Sequence, residues 1–359
     1  MKQLVKDPRV STTMKALVYL GPGKRAWQDR PRPKISEAGD AIVRVTTTTI
    51  CGSDLHILKG DVPTAAGGLI LGHEGVGVVE EVGSNVFNVH KGDKVIISCI
   101  TSCGGCSFCR KGMYSHCVTG GWILGHKIDG TQAEYVRIPH ADNSLYLLPE
   151  QASEEAATML SDILPTGFEC GVINGQVKPG DVLAIVGAGP VGLSALLTAQ
   201  LYSPGEIIMV DLDPNRLEAA LSLGATQAVN SSDGEAVARI MSLTQGAGVD
   251  VAIEAVGVPA TFDICQAILA PGGHLANIGV HGKPVELHIE KLWSQNITLT
   301  TGLVDTLTTP MLLRIVESGR LDATKLISHR FELSQIMEAY DTFANAAQEG
   351  ALKVMLRNA

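Results

Sequence analysis

Apolar residues fall along this chain in two rhythms. Up to about residue 150 they come in short runs, several rich in β-branched residues. These are Ala16-Leu17-Val18-Tyr19-Leu20, Ala41-Ile42-Val43-Arg44-Val45, the stretch 77–83, and Lys94-Val95-Ile96-Ile97. Runs of this length and composition predict strands. Gly21-Pro22-Gly23, Pro31, Pro33 and Lys91-Gly92-Asp93 punctuate them as turns. The first 150 residues read as a mostly β module.

The rhythm changes near Gln151. Ser153-Glu154-Glu155-Ala156-Ala157 has the N-cap and early acidic residues of a helix. From Gly180 strand and helix patterns alternate: strands at 182–186 and 207–211, helices at 191–201 and 216–223. Further strands are predicted at 249–254, 274–278 and 297–300. Such alternation argues for a doubly wound parallel sheet, and so for an α/β protein. Helices at 311–318 and 333–346 and a strand at 352–356 follow. No internal repeat interrupts the pattern.

A length of 359 residues predicts two domains, and 45% hydrophobic with 18% charged residues is ample for two cores. The net charge of −9 argues against nucleic acid or an anionic membrane surface as partner. No apolar run approaches the roughly 20 residues of a membrane span. Residues 1–13 carry charges without an apolar signal core and read as a polar extension, with no export indicated. Of eight cysteines, four crowd into one short run, which points to metal binding in a reducing compartment, the cytoplasm.

That run is Cys103-Gly-Gly-Cys106-Ser-Phe-Cys109 followed by Cys117. Four thiolates so spaced fold round one tetrahedral zinc, with glycines letting the loop curl back. No coordination position is left open, so a lobe of about residues 99–120 is held together and does no chemistry.

A second metal pattern lies earlier. Cys51-Gly52-Ser53-Asp54-Leu55-His56 and Leu71-Gly72-His73-Glu74-Gly75 set a thiolate and an imidazole into glycine-rich turns, which suits a zinc with an open position. Singly, Cys51 and His73 read as core residues; the Gly-His-Glu-Gly context and the downstream cysteines favour ligands. Asp162 is the expected third ligand, because a carboxylate in the apolar junction 160–167 needs a partner. Cys170 competes, but falls inside an expected helix. Glu74 is either a carboxylate backing His73 or an alternate ligand. Ser53 and His56 sit where a proton path out of such a site belongs. The remaining histidines, His126 among them, receive no role.

Gly187-Ala188-Gly189-Pro190-Val191-Gly192 follows a predicted strand and opens a predicted helix. Here glycines permit a tight turn and close approach of a pyrophosphate to free helix N–H groups, and Pro190 suits the first turn. Asp211, 19 residues after Gly192, is placed to accept from both ribose hydroxyls. That favours NAD over NADP, although Arg216 keeps the second open.

On Gly72-His73-Glu74, the four-cysteine lobe, residues 187–192 and Asp211, the chain resembles the zinc-dependent medium-chain alcohol dehydrogenases from Met14 onward. Where members of that family with a Cys₂His catalytic zinc carry a second cysteine, this chain has Asp162. The Ser161-Asp162-Ile163-Leu164-Pro165-Thr166-Gly167 run is similar to the bacterial secondary-alcohol and formaldehyde dehydrogenase branches, which use that aspartate. The resemblance implies a GroES-like catalytic domain of residues 1–163 and 304–359, with a Rossmann domain of 164–303 inserted. It also implies two zinc ions per subunit, Thr166 and Lys353 touching the coenzyme, and a homodimer or homotetramer. The substrate pocket would include Ser53, Cys99, Trp122 and Leu303, Trp122 being equally readable as a core anchor. Cys99 stands where some relatives carry a large aromatic, leaving room for secondary or aryl-substituted alcohols.

The expected reaction is reversible hydride transfer between a small alcohol and NAD, giving an aldehyde or ketone. Zinc at Cys51, His73 and Asp162 would lower the alcohol's pKa. Ser53 would take the proton and pass it through a coenzyme ribose hydroxyl to His56. A polyol or formaldehyde dehydrogenase on the same scaffold is the alternative; a non-catalytic nucleotide-binding protein is a remote one.

Overall fold

In the computed structural model, residues 12–358 are described, so nearly all of the polar extension expected at 1–13 lies outside the described residues. The chain opens on an antiparallel hairpin, β1 (Thr13–Gly21) and β2 (Lys24–Pro31). The strands β3 (Ala41–Ile50), β4 (Gly75–Val82), β5 (Lys94–Ile97), β6 (Tyr135–Ile138) and β7 (Leu145–Leu147) follow. Next come β8 (Val182–Val186), β9 (Glu206–Asp211), β10 (Gln227–Asn230), β11 (Val249–Glu254), β12 (Leu269–Asn277) and β13 (Thr298–Thr301). The chain then returns with β14 (Ile327–Glu332) and β15 (Lys353–Arg357).

Two sheets result. One runs β14-β15-β3-β4-β5-β7, with β6 pairing β3 as well; the other runs β10-β9-β8-β11-β12-β13. Every pairing in the second sheet is parallel. Its central strands are continuous apolar runs, as strands covered on both faces must be: four of the five β8 residues are buried. The flanking helices Pro190–Ala199, Pro214–Ser222 and Pro259–Ile268 each open on a proline, where no intrahelical N–H bond is forfeited. The fold is thus α/β, a β module beside a doubly wound sheet.

One apolar core joins the sheets. Val76 and Ile96 of the first pack with Leu160, Ile163, Leu164 and Phe168 of the junction, and these with Leu183 and Ile185 of the second and Leu193 of the helix Pro190–Ala199. The junction helix Ile163–Thr166 continues into a π-helical stretch, Gly167–Ile173. At Gly167 a β-carbon would stand 2.1 Å from Ser194 Oγ, so only glycine lets this stretch lie against the helix Pro190–Ala199.

Local readings needed adjustment in two places. The residues after Cys51 form a helix, Gly52–Lys59, where a turn was expected. The Cys51 N–H donates to Asp54 Oδ2 at 2.9 Å, and Gly60 ends the helix at φ 87°. The single helix expected at 333–346 is a 3₁₀ turn, Leu333–Gln335, and a helix, Ile336–Ala344, with a short helix, Ala346–Glu349, beyond it. Among the described residues no helix is long and apolar enough to cross a membrane.

The returning strands are clamped to the junction by Glu155. Its carboxylate accepts from Arg330 Nε and Nη2 at 2.8 Å each and from Arg357. The Arg330 bond, against a smaller opposing effect of burial and aided by Arg357, holds this carboxyl down to about 2, below its ordinary 4.5. A depressed folded-state pKa contributes stability above 4.5 that is lost as pH falls towards 2. Glu155→Gln is therefore expected to be less stable than the parent at pH 7, the gap closing between pH 4.5 and 2. Urea midpoints across that range measure it; a constant gap would exclude the clamp.

Candidate active site

Three strand ends assemble most of the site. β3 and β4 are antiparallel with Thr48 opposite Gly75, so Cys51, just after β3, lies beside His73 and Glu74, just before β4. On the other side of β3, Val354 of β15 pairs with Ile50, which brings Lys353 to the same end. Asp162 arrives from the junction as the residue capping the helix Ile163–Thr166. Atoms of Cys51, His73, Glu74 and Asp162 all lie within 4.8 Å of one another. His73 Nε2 is 3.1 Å from Asp162 Oδ2 and 3.9 Å from Glu74 Oε1. Gly72 must precede His73: its φ is +93°, and a β-carbon would meet Gln132 Cγ at 2.6 Å.

Electrostatics around the cluster suit a cation at its centre. Burial alone would push the His73 imidazole down, but the hydrogen bonds with Asp162 and Cys51 raise it well above its usual value. Burial likewise opposes the Asp162 charge, yet His73, with Thr166, holds that carboxyl down to about 2. Thr166 Oγ1 donates to Asp162 Oδ1 at 2.5 Å. A thiolate, an imidazole and a carboxylate converging beside a cleft form the donor set of a zinc with one open position, whose edges span roughly 3.3–3.8 Å. The residues fit the ion.

Behind the ligands lies a buried layer that no local sequence pattern singles out. Glu74 Oε2 accepts from Thr49 Oγ1 at 2.6 Å, and Oε1 from Lys353 Nζ at 2.5 Å. Lys353 was expected at the coenzyme. In this structure its side chain is 1% exposed, because β15 is an internal strand and points it at Glu74. Burial works against that charge, but Glu74 and Cys51 outweigh it and raise its pKa. Asp54 Oδ2 accepts from Gln132 Nε2 at 3.0 Å, and Tyr340 donates to Gln132 Oε1 at 2.8 Å. Asp54 Oδ1 stands 4.0 Å from His73 Nδ1 without a hydrogen bond, oriented to hold that ring. Only the three-residue spacing of Asp54 from Cys51 was available as a signal.

A cleft of about 890 Å³ opens in front, lined by Cys51, Ser53, His56, His73, Asp162 and Thr166 among others. Cys99, Trp122 and Leu303 form further wall, and Val191, Ala255 and Ile278 bring in the carboxyl ends of the parallel strands. That is the crevice where open α/β sheets bind ligands. Ser53 Oγ is buried without a partner, and His56 Nδ1 pairs with Asp61 Oδ2 at 2.9 Å. Cys170 lines the cleft but lies outside the ligand cluster, its thiol pushed up to about 12 by burial first.

In the turn after β8, Gly187 adopts φ +112°, and a β-carbon on Gly192 would stand 1.8 Å from Gly187 O. Strand and helix therefore touch at backbone distance, with Gly189 capping the helix that Pro190 begins. Asp211 ends β9 and braces this turn: Oδ2 accepts from Ala188 N at 2.7 Å and Oδ1 from Asp213 N at 2.9 Å. Arg216 sits over the turn, its Nη1 3.8 Å from where a Gly189 β-carbon would be.

The thiols of Cys103, Cys106, Cys109 and Cys117 also lie within 4.8 Å of one another. Sulfur separations of 3.5 Å (106–109) and 4.0 Å (103–109) bracket the roughly 3.8 Å edge of a tetrahedral zinc–thiolate site, and all four are free. N–H groups of Cys109 and Val118 hold the Cys106 thiol down to about 6, favouring thiolate. This site fits a zinc sealed on all sides.

A nucleotide-type crevice facing a buried set of metal donors defines a metal-dependent dehydrogenase, and the comparisons with known proteins say which kind. Residues 37–150 match the alcohol dehydrogenase GroES-like domain and residues 190–317 the zinc-binding dehydrogenase domain. The chain belongs to the zinc-type medium-chain alcohol dehydrogenases. It is 37% identical over 370 residues to an alcohol dehydrogenase of Cupriavidus necator, covering 97% of this chain and 100% of that protein. An NADP-dependent isopropanol dehydrogenase of Thermoanaerobacter brockii is 35% identical over 326 residues, 89% of this chain and 92% of that one. Among solved structures, the apo form of zinc dependent alcohol dehydrogenase 2 from Streptococcus pneumonia superposes with a TM-score of 0.92 at 58% identity, covering 96% of this chain and 98% of that one. The protein is accordingly a zinc-type oxidoreductase of alcohols and ketones; of two solved relatives each 27% identical to it, one from E. coli is complexed with NADH and one from Sinorhizobium meliloti is bound to NADP.

Proposed function

We propose that this enzyme interconverts a small primary or secondary alcohol and its aldehyde or ketone with NAD, using one zinc held by Cys51, His73 and Asp162 and a second sealed by Cys103, Cys106, Cys109 and Cys117. The observation that carries the reading is the meeting of the Cys51, His73 and Asp162 donors at the floor of the cleft. When bound, the zinc supplies Lewis acidity that lowers the alcohol's pKa, and the coenzyme supplies the hydride acceptor.

The chain's own groups do the rest. Ser53 Oγ, buried in the cleft wall and unpartnered, accepts the hydrogen bond of the substrate hydroxyl. His56, with its side chain 39% exposed and its Nδ1 on Asp61, takes the proton on the solvent side. Cys99, whose thiol is driven well up by burial and by Asp162, stays neutral and leaves the wall beside the donors small and uncharged. Residues 1–163 and 304–359 make the catalytic part and 164–303 the coenzyme part. Free thiols in the lobe support a reducing, cytoplasmic location. A homodimer or homotetramer is the expected assembly, measured by sedimentation velocity.

Metal analysis together with reduced-coenzyme formation from primary, secondary, aromatic and polyol substrates tests the reading. Two zinc ions per chain and turnover of simple alcohols are expected; activity confined to polyols would select the alternative. NAD is favoured over NADP because the Asp211 carboxylate closes the turn where a 2′-phosphate would lie. Asp211→Asn, which keeps an acceptor for Ala188 N–H, is expected to raise the NADP-to-NAD ratio of kcat/KM by roughly 10- to 100-fold, as charged hydrogen bonds of about 1.5–3 kcal/mol imply. An unchanged ratio would remove Asp211 from coenzyme selection.

A further inference from the structure

Trp122 stands edge-on to the His73 ring, with centroids 6.2 Å apart and planes at 86°, where it forms a wall of the cleft beside the donors. Its other contact is unusual. His126 stacks on the indole at a centroid distance of 4.4 Å and an interplanar angle of 27°. His126 is 7% exposed, and both its ring nitrogens are engaged. Nδ1 lies 3.1 Å from the Trp122 carbonyl oxygen, which can only accept, so Nδ1 carries a proton. Nε2 lies 2.6 Å from Thr64 Oγ1, which ties the ring from its other edge.

The turn that carries both rings is anchored to the metal-ligand segment. His126, Lys127 and Ile128 N–H groups all donate to the Ile123 carbonyl. A β-carbon on Gly125 (φ +65°) would stand 2.6 Å from both N and O of Gly72, the residue before His73. The backbone is thus held, and the indole's orientation depends on what packs against it, the apolar residues of two core clusters and the stacked His126 ring. Among the described residues, the indole's ring contacts are with His126, stacked on its face, and with His73, edge to face.

We infer that His126 is a specificity-determining positioning residue: stacked on Trp122 and tied to Thr64, it locks the indole as a rigid pocket wall and so sets the bulk of alcohol or ketone that can reach the donors. This rests on the function proposed above. The device is aromatic packing plus two hydrogen bonds, and it needs no change of charge on His126.

The test uses zinc-loaded enzyme and a matched pair of substrates, 2-propanol and 1-phenylethanol, with each variant compared to the parent. Turnover of either by the parent establishes the function on which the inference rests; its absence would defeat both. With the parent active, His126→Ala is expected to raise kcat/KM for 1-phenylethanol relative to 2-propanol by about tenfold, the scale of one methylene-sized change in a pocket, chiefly through KM. Thr64→Val, which removes one tether and keeps the stack, is expected to shift the ratio in the same direction by less.

The second readout is independent of turnover. In a Trp27→Phe, Trp293→Phe background the only fluorophore of its type is Trp122, and its anisotropy decay reports ring motion directly. Slow decay is expected in the parent background and an added subnanosecond component in His126→Ala. His126→Phe, which restores a ring on the indole, is expected to return the decay towards the parent; if the alanine variant does not fold, His126→Leu, equally without a ring, carries the test. Substrate ratios and anisotropy that are the same in the parent, the ringless His126 variant and Thr64→Val would overturn the inference.

Discussion

Asp162→Asn is expected to lose one of two bound metal ions and to lower kcat/KM for alcohol oxidation on the order of 10³-fold, with the fold intact. The magnitude follows from several kcal/mol of Lewis-acid stabilisation, at about 1.4 kcal/mol per tenfold. The change is nearly isosteric. Its amide oxygen still accepts from Thr166 Oγ1, the bond that now measures 2.5 Å, so the helix Ile163–Thr166 keeps its start. What disappears is the anionic donor facing His73 Nε2 at 3.1 Å. The four-cysteine lobe shares no residue with this cluster and should retain its ion. Metal content per chain by mass spectrometry, with circular dichroism as the control for folding, reads the outcome. Full metal content with parental activity would show that Asp162 is not a ligand and would reopen Cys170.

The second large effect is on stability. Lys353→Met is expected to destabilise the protein by roughly 3–5 kcal/mol, the usual cost of leaving one member of a buried ion pair alone. Both partners are 1% exposed, so water cannot replace the lost ammonium, and Thr49 Oγ1 is the one remaining neutral donor to the Glu74 carboxylate. The double variant Glu74→Gln with Lys353→Met should recover part of the loss, since no net charge is then left inside. Denaturant unfolding of the three variants measures it. A double variant no more stable than Lys353→Met would mean that packing of the long side chain, not charge, is what the position requires.

How much of this was readable in advance depended on how local each feature is. The cysteine lobe was legible because its four ligands lie within fifteen residues and spacing alone implies the geometry. The glycine turn was legible for the same reason: Gly187 and Gly192 meet at backbone distance within a single strand–helix unit. The parallel sheet followed from the alternation of its strands and helices, because covered strands must be apolar throughout. The helix after Cys51 was missed because its apolar content is weak and its start depends on one bond from Cys51 N to Asp54. The Lys353 contact with Glu74 was not legible, since which group a terminal-region lysine meets depends on the strand that flanks it. Thr49, Gln132 and Tyr340 carry no local pattern at all; Tyr340 and Gln132 are 208 residues apart when they meet. His126 looked idle for the same reason, its partner Thr64 lying 62 residues earlier.

The ion pair between Glu74 and Lys353 also has a temporal side. The two residues are separated by 279 positions, and the whole parallel sheet is made between them. At about 5–20 residues per second, Glu74 leaves the ribosome some 15–55 s before its counter-charge exists. Through that interval neither β15 nor, for most of it, β14 has been made, so the β module lacks the two strands that complete its sheet beyond β3. The charge-balanced layer behind the metal donors is therefore completed late in synthesis, with the arrival of β15.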